Sequence, residues 1–206
     1  AVAYCNLALA HSRAGRTDEA RQAYGEAIRL QEQLLAARDN VEEYLNDLAR
    51  SHANLGLLQS ETGARKDAEA SLREALQLSG QLLKRHPDNA DFRGNLAAAL
   101  NNLRTLYVAT EPAQAAELYR QAIDQQTQAA AARPNDLNYQ SELALTYNNL
   151  GAVQSRLGQL ADAATSYRRA VDIKSDLARA APTKKSYRHD LAVTFNNLGL
   201  TQTKLK

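Results

Sequence analysis

Five asparagines set out the chemistry this chain has to offer. Asn6, Asn54, Asn102, Asn149 and Asn197 recur at spacings of 48, 48, 47 and 48 residues. Asn101, Asn148 and Asn196 stand one place earlier in the later copies, where the first two copies carry Cys5 and Ala53. A carboxamide holds both a donor and an acceptor, the two groups that match a peptide N–H and C=O. A row of them at one register can hold an extended chain whatever its side chains. The competing reading is that each asparagine bonds a neighbouring helix and fixes packing, and the two are compatible. Asn inside a helix costs up to about 0.7 kcal/mol relative to Ala, so five ask for about 3 kcal/mol of compensation.

Other chemistry finds little support. His11, His52, His86 and His189 fall at different places in the repeat and lack Cys or carboxylate partners at zinc spacing. No G-x-G-x-x-G, P-loop or G-x-S-x-G motif occurs. The sequence therefore predicts no enzyme, no metal and no cofactor. Lys and Arg number 25 against 23 Asp and Glu, with no basic block beyond Lys184-Lys185, so a nucleic-acid footprint is missing. No apolar run nears the roughly 18 residues of a membrane span. The single Cys5 cannot form an internal disulfide, which fits a reducing compartment and predicts a cytoplasmic location.

The asparagines lie inside a longer repeated stretch. Its copies are Tyr4-Cys5-Asn6-Leu7-Ala8, His52-Ala53-Asn54-Leu55-Gly56, Leu100-Asn101-Asn102-Leu103-Arg104, Tyr147-Asn148-Asn149-Leu150-Gly151 and Phe195-Asn196-Asn197-Leu198-Gly199. A fixed period of this size marks a stacked repeat array that grows one unit at a time around a continuous core. Ala, Leu, Gln, Arg and Glu dominate, so the units are helical. The clearest copy reads as a helix over about 136–157, a Gly158 stop, and a second helix over about 160–181 ended by Pro182. Gly15 and Gly63 match Gly158, while Pro87 and Pro134 match Pro182. Asp88-Asn89 and Asn135-Asp136 are candidate N-caps. The units run approximately 1–39, 40–87, 88–134, 135–182 and 183–206, about nine helices in one array. In the third, Ala109-Thr110-Glu111-Pro112 replaces the Gly turn and predicts a tighter corner.

These residues resemble the tetratricopeptide repeat family, whose pattern is an aromatic, Leu-Gly, Ala, a second aromatic and Pro. Here that reads Tyr147, Leu150-Gly151, Ala163, Tyr167 and Pro182. Tyr4, Leu7, Ala8, Ala20 and Tyr24, and then Leu55, Gly56, Ala68, Leu72 and Pro87, repeat it. The resemblance implies an all-α fold, a right-handed α-solenoid of stacked antiparallel helix pairs whose first helices line a concave groove. It further implies a protein-interaction scaffold, with the eight asparagines as peptide-binding residues. The family's usual period is 34, so each helix gains about seven residues, or roughly 10 Å. Tyr44, Phe92, Tyr139 and Tyr187 in the added part should pack on Leu34-Leu35, Leu82-Leu83 and Leu177. Arg13, Arg50, Glu61, Arg156 and Lys204 should border the groove.

Long units of this form are similar to the repeat tails of large bacterial signalling proteins, particularly serine/threonine kinases, and more distantly to kinesin light chain. Two other functions stay open on the sequence. The chain starts inside a repeat, has no methionine and ends after a first helix, which reads as a segment of a longer array. Uncapped ends could stack head to tail into a filament or other homo-oligomer. Alternatively, the segment is the regulatory arm of a larger signalling enzyme such as a kinase.

Overall fold

The computed structural model describes residues 1–37 and 42–205, and among these it contains nine helices and no strand. They are α1 (Val2–Arg13), α2 (Thr17–Ala37), α3 (Glu42–Glu61), α4 (Arg65–Arg85), α5 (Ala90–Arg104), α6 (Pro112–Ala132), α7 (Leu137–Arg156), α8 (Leu160–Ala180) and α9 (Lys185–Lys204). The chain forms two compact units, Ala1–Leu106 and Tyr107–Lys206. In the first, each helix packs on the next, and α3 also meets α5. In the second, the same holds for α6 to α9, with α7 meeting α9. Short turns between packed neighbours make antiparallel pairs, and within each unit stacking brings first helices of adjacent repeats side by side. The fold is an all-α helix-pair array.

The turns follow from single residues. Gly15, Gly63 and Gly158 take φ of 71°, 79° and 75°, the left-handed region that an L side chain resists. Just beyond each, Arg16, Ala64 and Gln159 donate their backbone N–H to His11, Gln59 and Gln154 carbonyls, all at 2.9 Å. That six-residue closure satisfies a helix-end carbonyl, as a Schellman motif does. At the other ends Asn89 Oδ1 accepts from the Asp91 and Phe92 amides, and Asp136 Oδ1 from that of Asn138. Of each candidate pair, the second residue is the cap. In the clearest copy, α7 and α8 lie within one residue of the expected bounds.

The third repeat departs earlier than its sequence suggests. Helix α5 has 15 residues where α3 and α7 have 20, and turns begin at Thr105. Arg104 stands at the register held elsewhere by Gly56 and Gly151. A Cβ at Gly56 would lie 2.6 Å from Leu72 Cγ, and one at Gly151 3.0 Å from Tyr167 Cδ1. These second helices approach too closely for a long side chain, and α5, which carries arginine at this register, ends at that residue.

Small residues allow that approach throughout. Ala8, Ala20 and Ala23 pack with Tyr24 and Leu58 in the first unit, and Ala163 and Ala164 with Tyr167 and Leu198 in the second. The added helical turns have cores of their own. Phe92 packs on the cluster holding Leu45, Leu48 and Leu82, along with Leu35. Leu82 is fully buried, and such burial stabilises by about 1.5–3 kcal/mol per side chain. Tyr187 is buried and accepts a 2.9 Å hydrogen bond from Lys184 Nζ, while Arg133 sits 5.9 Å over the Tyr139 ring.

Candidate functional site

In the first unit the asparagines border two clefts between neighbouring first helices. Asn6 and Asn54 line one of about 80 Å³ between α1 and α3, with Val2, Cys5, Gln31, Asp47, Arg50 and Ser51. Asn54 and Asn102 line the other, about 220 Å³ between α3 and α5, with Arg50, Ser79, Asn95 and Ala99. Asn54 and Arg50 thus stand on the ridge shared by both. Asn6 and Asn54 are exposed and Asn102 half-buried. Asn95 Nδ2 donates to Asn46 Oδ1 at 2.8 Å, tying α5 to α3 beside the larger cleft. Asn101 is half-buried but lines neither cleft.

The second unit uses its asparagines differently. Asn148 Oδ1 accepts from Thr194 Oγ1 and from Asn197 Nδ2 of the next first helix, both at 3.3 Å. Its Nδ2 contacts Asn149 Oδ1 at 3.4 Å. Here Asn148, Asn149 and Asn197 form one chain of carboxamides joining α7 to α9, while Asn196 is exposed. Of the charged residues placed along the groove, Arg50 lines both clefts of the first unit. Arg156 instead donates to the Val108 carbonyl at 2.7 Å. Arg13, Glu61 and Lys204 are exposed.

Each unit also buries polar side chains at one repeated register of its second helices, and the sequence reading missed them. Gln31, Ser79, Gln126 and Lys174 occupy one register of the second helices, spaced 48, 47 and 48 residues apart. All four are buried, at 1%, 3%, 2% and 7% exposure. Gln31 floors the smaller cleft and Ser79 the larger. Lys174 Nζ donates to Thr194 Oγ1 at 2.8 Å and to the Asp190 carbonyl at 3.3 Å. Burial lowers its pKa from the ordinary lysine value, against a smaller opposing pull from Asp190. Gln31 and Gln126 each leave Oε1 without a partner among the described residues. The register repeats with the asparagines' own period, and that spacing was its signal.

His52 is a further half-buried polar group of the first unit. Burial lowers the pKa of His52, with Glu74 and then Glu32 pulling the other way. Its Nδ1 is buried and has no partner among the described residues. Within the same limits, no three His, Cys, Asp or Glu side chains gather as a metal site, and no helix is long and apolar enough to cross a membrane.

Tetratricopeptide repeat models match residues 1–34, 49–82 and 144–177, so each match ends within a second helix. No curated protein matches the chain in sequence. Among solved structures it is similar to BtubC (BKLC) from P. vanneervenii, with 26% identity and a TM-score of 0.63. That likeness covers 84% of this chain and 63% of the other, so the chain spans less than two thirds of that relative. The nearly identical TPR-like repeats of a kinesin-light-chain-related protein from Podosopora anserina match at 20% identity and a TM-score of 0.62. There the match covers 98% of this chain and 88% of the other, a likeness of fold.

Proposed function

The chain belongs to the tetratricopeptide repeat proteins, and on that premise we propose that it is a non-catalytic interaction scaffold taking up an extended peptide segment along its first helices. Carboxamides there supply paired donors and acceptors to the peptide backbone. The observation that carries this reading is the place of Asn54. It stands on the ridge between two polar clefts, flanked by Asn6 on one side and Asn102 on the other. A peptide following that line would meet a carboxamide at each repeat. Mixed charge along the clefts favours backbone contact over a strongly acidic or basic ligand.

A displayed library of extended peptides, selected on the full chain, supplies the probe. The selected peptide should bind the Asn54→Ala, Asn102→Ala double variant at least tenfold more weakly, with the melting temperature changed by no more than about 2 °C. Unchanged affinity with a large fall in melting temperature would make those asparagines structural and sink the reading.

A second reading is association between copies. Val2, Tyr4 and Leu7 on α1, and Phe195 and Leu200 on α9, are large apolar side chains with 40% or more exposure. Exposed apolar faces of this kind are where repeat arrays continue or meet partners. Sedimentation over a wide concentration range tests it, and a constant monomer mass would end it.

A further inference from the structure

We infer that the cleft between α1 and α3 is a receptor for a primary ammonium group, and that its occupant is a lysine side chain of the bound peptide. The inference rests on the peptide-scaffold reading for the source of the ammonium, and on the molecule itself for the chemistry.

The protein already contains the filled version of this cleft. Between α7 and α9, Lys174 rises from the second helix and gives its ammonium to Thr194 Oγ1 and the Asp190 carbonyl. The Thr194 hydroxyl has one proton to give and two acceptors within reach of it, the Asp190 carbonyl at 2.8 Å and Asn148 Oδ1 at 3.3 Å. Three repeats earlier, the first unit rebuilds the same frame from different residues. Ser51 replaces Thr194 and donates to the Asp47 carbonyl at 3.0 Å. Cys5 replaces Asn148, with its Sγ 3.2 Å from Ser51 Oγ. Asp47 replaces Asp190. Hydroxyl, helical carbonyl and carboxylate all keep their places, while a thiol takes over from the Asn148 carboxamide and a neutral carboxamide from the ammonium.

Gln31 stands where Lys174 stands. It is 1% exposed, and its Nε2 reaches only the Cys5 sulfur, at 3.9 Å. Its Oε1 has no partner among the described residues. Turning the carboxamide over would leave its NH2 unmatched instead, so the orientation that an incoming donor completes is the one with Oε1 free. A buried acceptor left unpaired carries a desolvation penalty that an incoming donor removes. The cleft also holds the Asp47 carboxylate, paired only with Arg50 at 3.7 Å, whose side chain is 66% exposed. Exposed pairs of that kind are weak and readily exchanged. An N–H donor with positive charge satisfies Gln31, Ser51 and Asp47 together, as Lys174 does for its own frame. The neighbouring cleft between α3 and α5 lacks the frame, since Ala99 replaces the hydroxyl and Asn95 the carboxylate.

The test uses the full chain and two peptides of the selected sequence that differ at one position, lysine against norleucine. The lysine peptide should bind about tenfold more tightly, the scale of a charge-assisted hydrogen bond in a desolvated site. Gln31→Lys places the ammonium internally. It should erase that preference while the norleucine peptide binds as before and the melting temperature holds or rises. Equal affinity for both peptides in the parent chain overturns the ammonium site and leaves the scaffold reading standing. So does a lysine preference that survives Gln31→Lys. If neither peptide binds, the scaffold reading fails, and an NMR titration with n-butylammonium decides the site alone. Shifts of the Gln31 carboxamide that are lost in Ser51→Ala support it, and no shift overturns it.

Discussion

Asn197 donates its side-chain amide to Asn148 at 3.3 Å, across a gap of one repeat plus one residue. The same oxygen serves Thr194, which is fully buried. This bond places two predicted groove residues in the joint between helices. Asn148→Ala should therefore destabilise by about 1–2 kcal/mol, a fall in melting temperature of about 2–8 °C. Asn54→Ala should cost far less, because Asn54 is exposed. Thermal denaturation of the two variants side by side gives the comparison, and equal losses would contradict it.

Gly56 and Gly151 set how near the second helices come. A methyl group at Gly56 meets Leu72 Cγ at 2.6 Å, well inside contact, whereas at Gly151 the Tyr167 ring stands at 3.0 Å. Gly56→Ala should cost about 1–3 kcal/mol through overpacking, and more than Gly151→Ala. Chemical denaturation with an unchanged slope would measure it. If the order is reversed, Leu72 yields more easily than the tyrosine ring.

His52 ties stability to mild acid. Its folded pKa lies below the ordinary 6.5 because burial disfavours the charged ring. Between the two values the unfolded chain binds more protons, so stability falls as pH drops through that window. The parent chain should lose melting temperature between neutral pH and pH 5 faster than His52→Gln does. Parallel curves would show that His52 is solvated in the folded state.

Lys174 works at the alkaline end. Its folded pKa is lowered below the ordinary 10.5, so between the two values the unfolded chain again holds more protons. Stability from this site therefore rises with pH across that window and is least below it, where both states are charged. The melting temperature of the parent chain relative to Lys174→Met should climb as pH approaches 10.5. A difference that stays flat would mean that the Thr194 bond fully offsets the burial of charge.

Periodicity made most of the fold legible before any coordinates. The recurring Leu, Ala and aromatic positions gave α7 and α8 to within a residue, because each faces a core that repeats with it. The end of α5 was not legible, since arginine is a good helix former and nothing in the pattern marks Arg104 as a stop. Which residue of Asp88-Asn89 caps α5 depends on backbone angles that composition does not record. The asparagine row was legible as a row, but not its division of labour. Asn148 finds Thr194 opposite it, whereas Ala53 in α3 faces Ala99 at the matching places and neither can bond. The Gln31 register escaped because a polar residue on a mostly polar helix looks solvated until its burial is seen.

The bonds joining neighbouring first helices, Cys5 with Ser51, Asn46 with Asn95 and Asn148 with Asn197, span 46 or 49 residues. Each seam is therefore written half in one repeat and half in the next. Moving a single block cannot transplant one cleft intact. Swapping an internal block re-pairs both of its borders and makes two new clefts at once, whereas tandem duplication keeps the old borders and adds one.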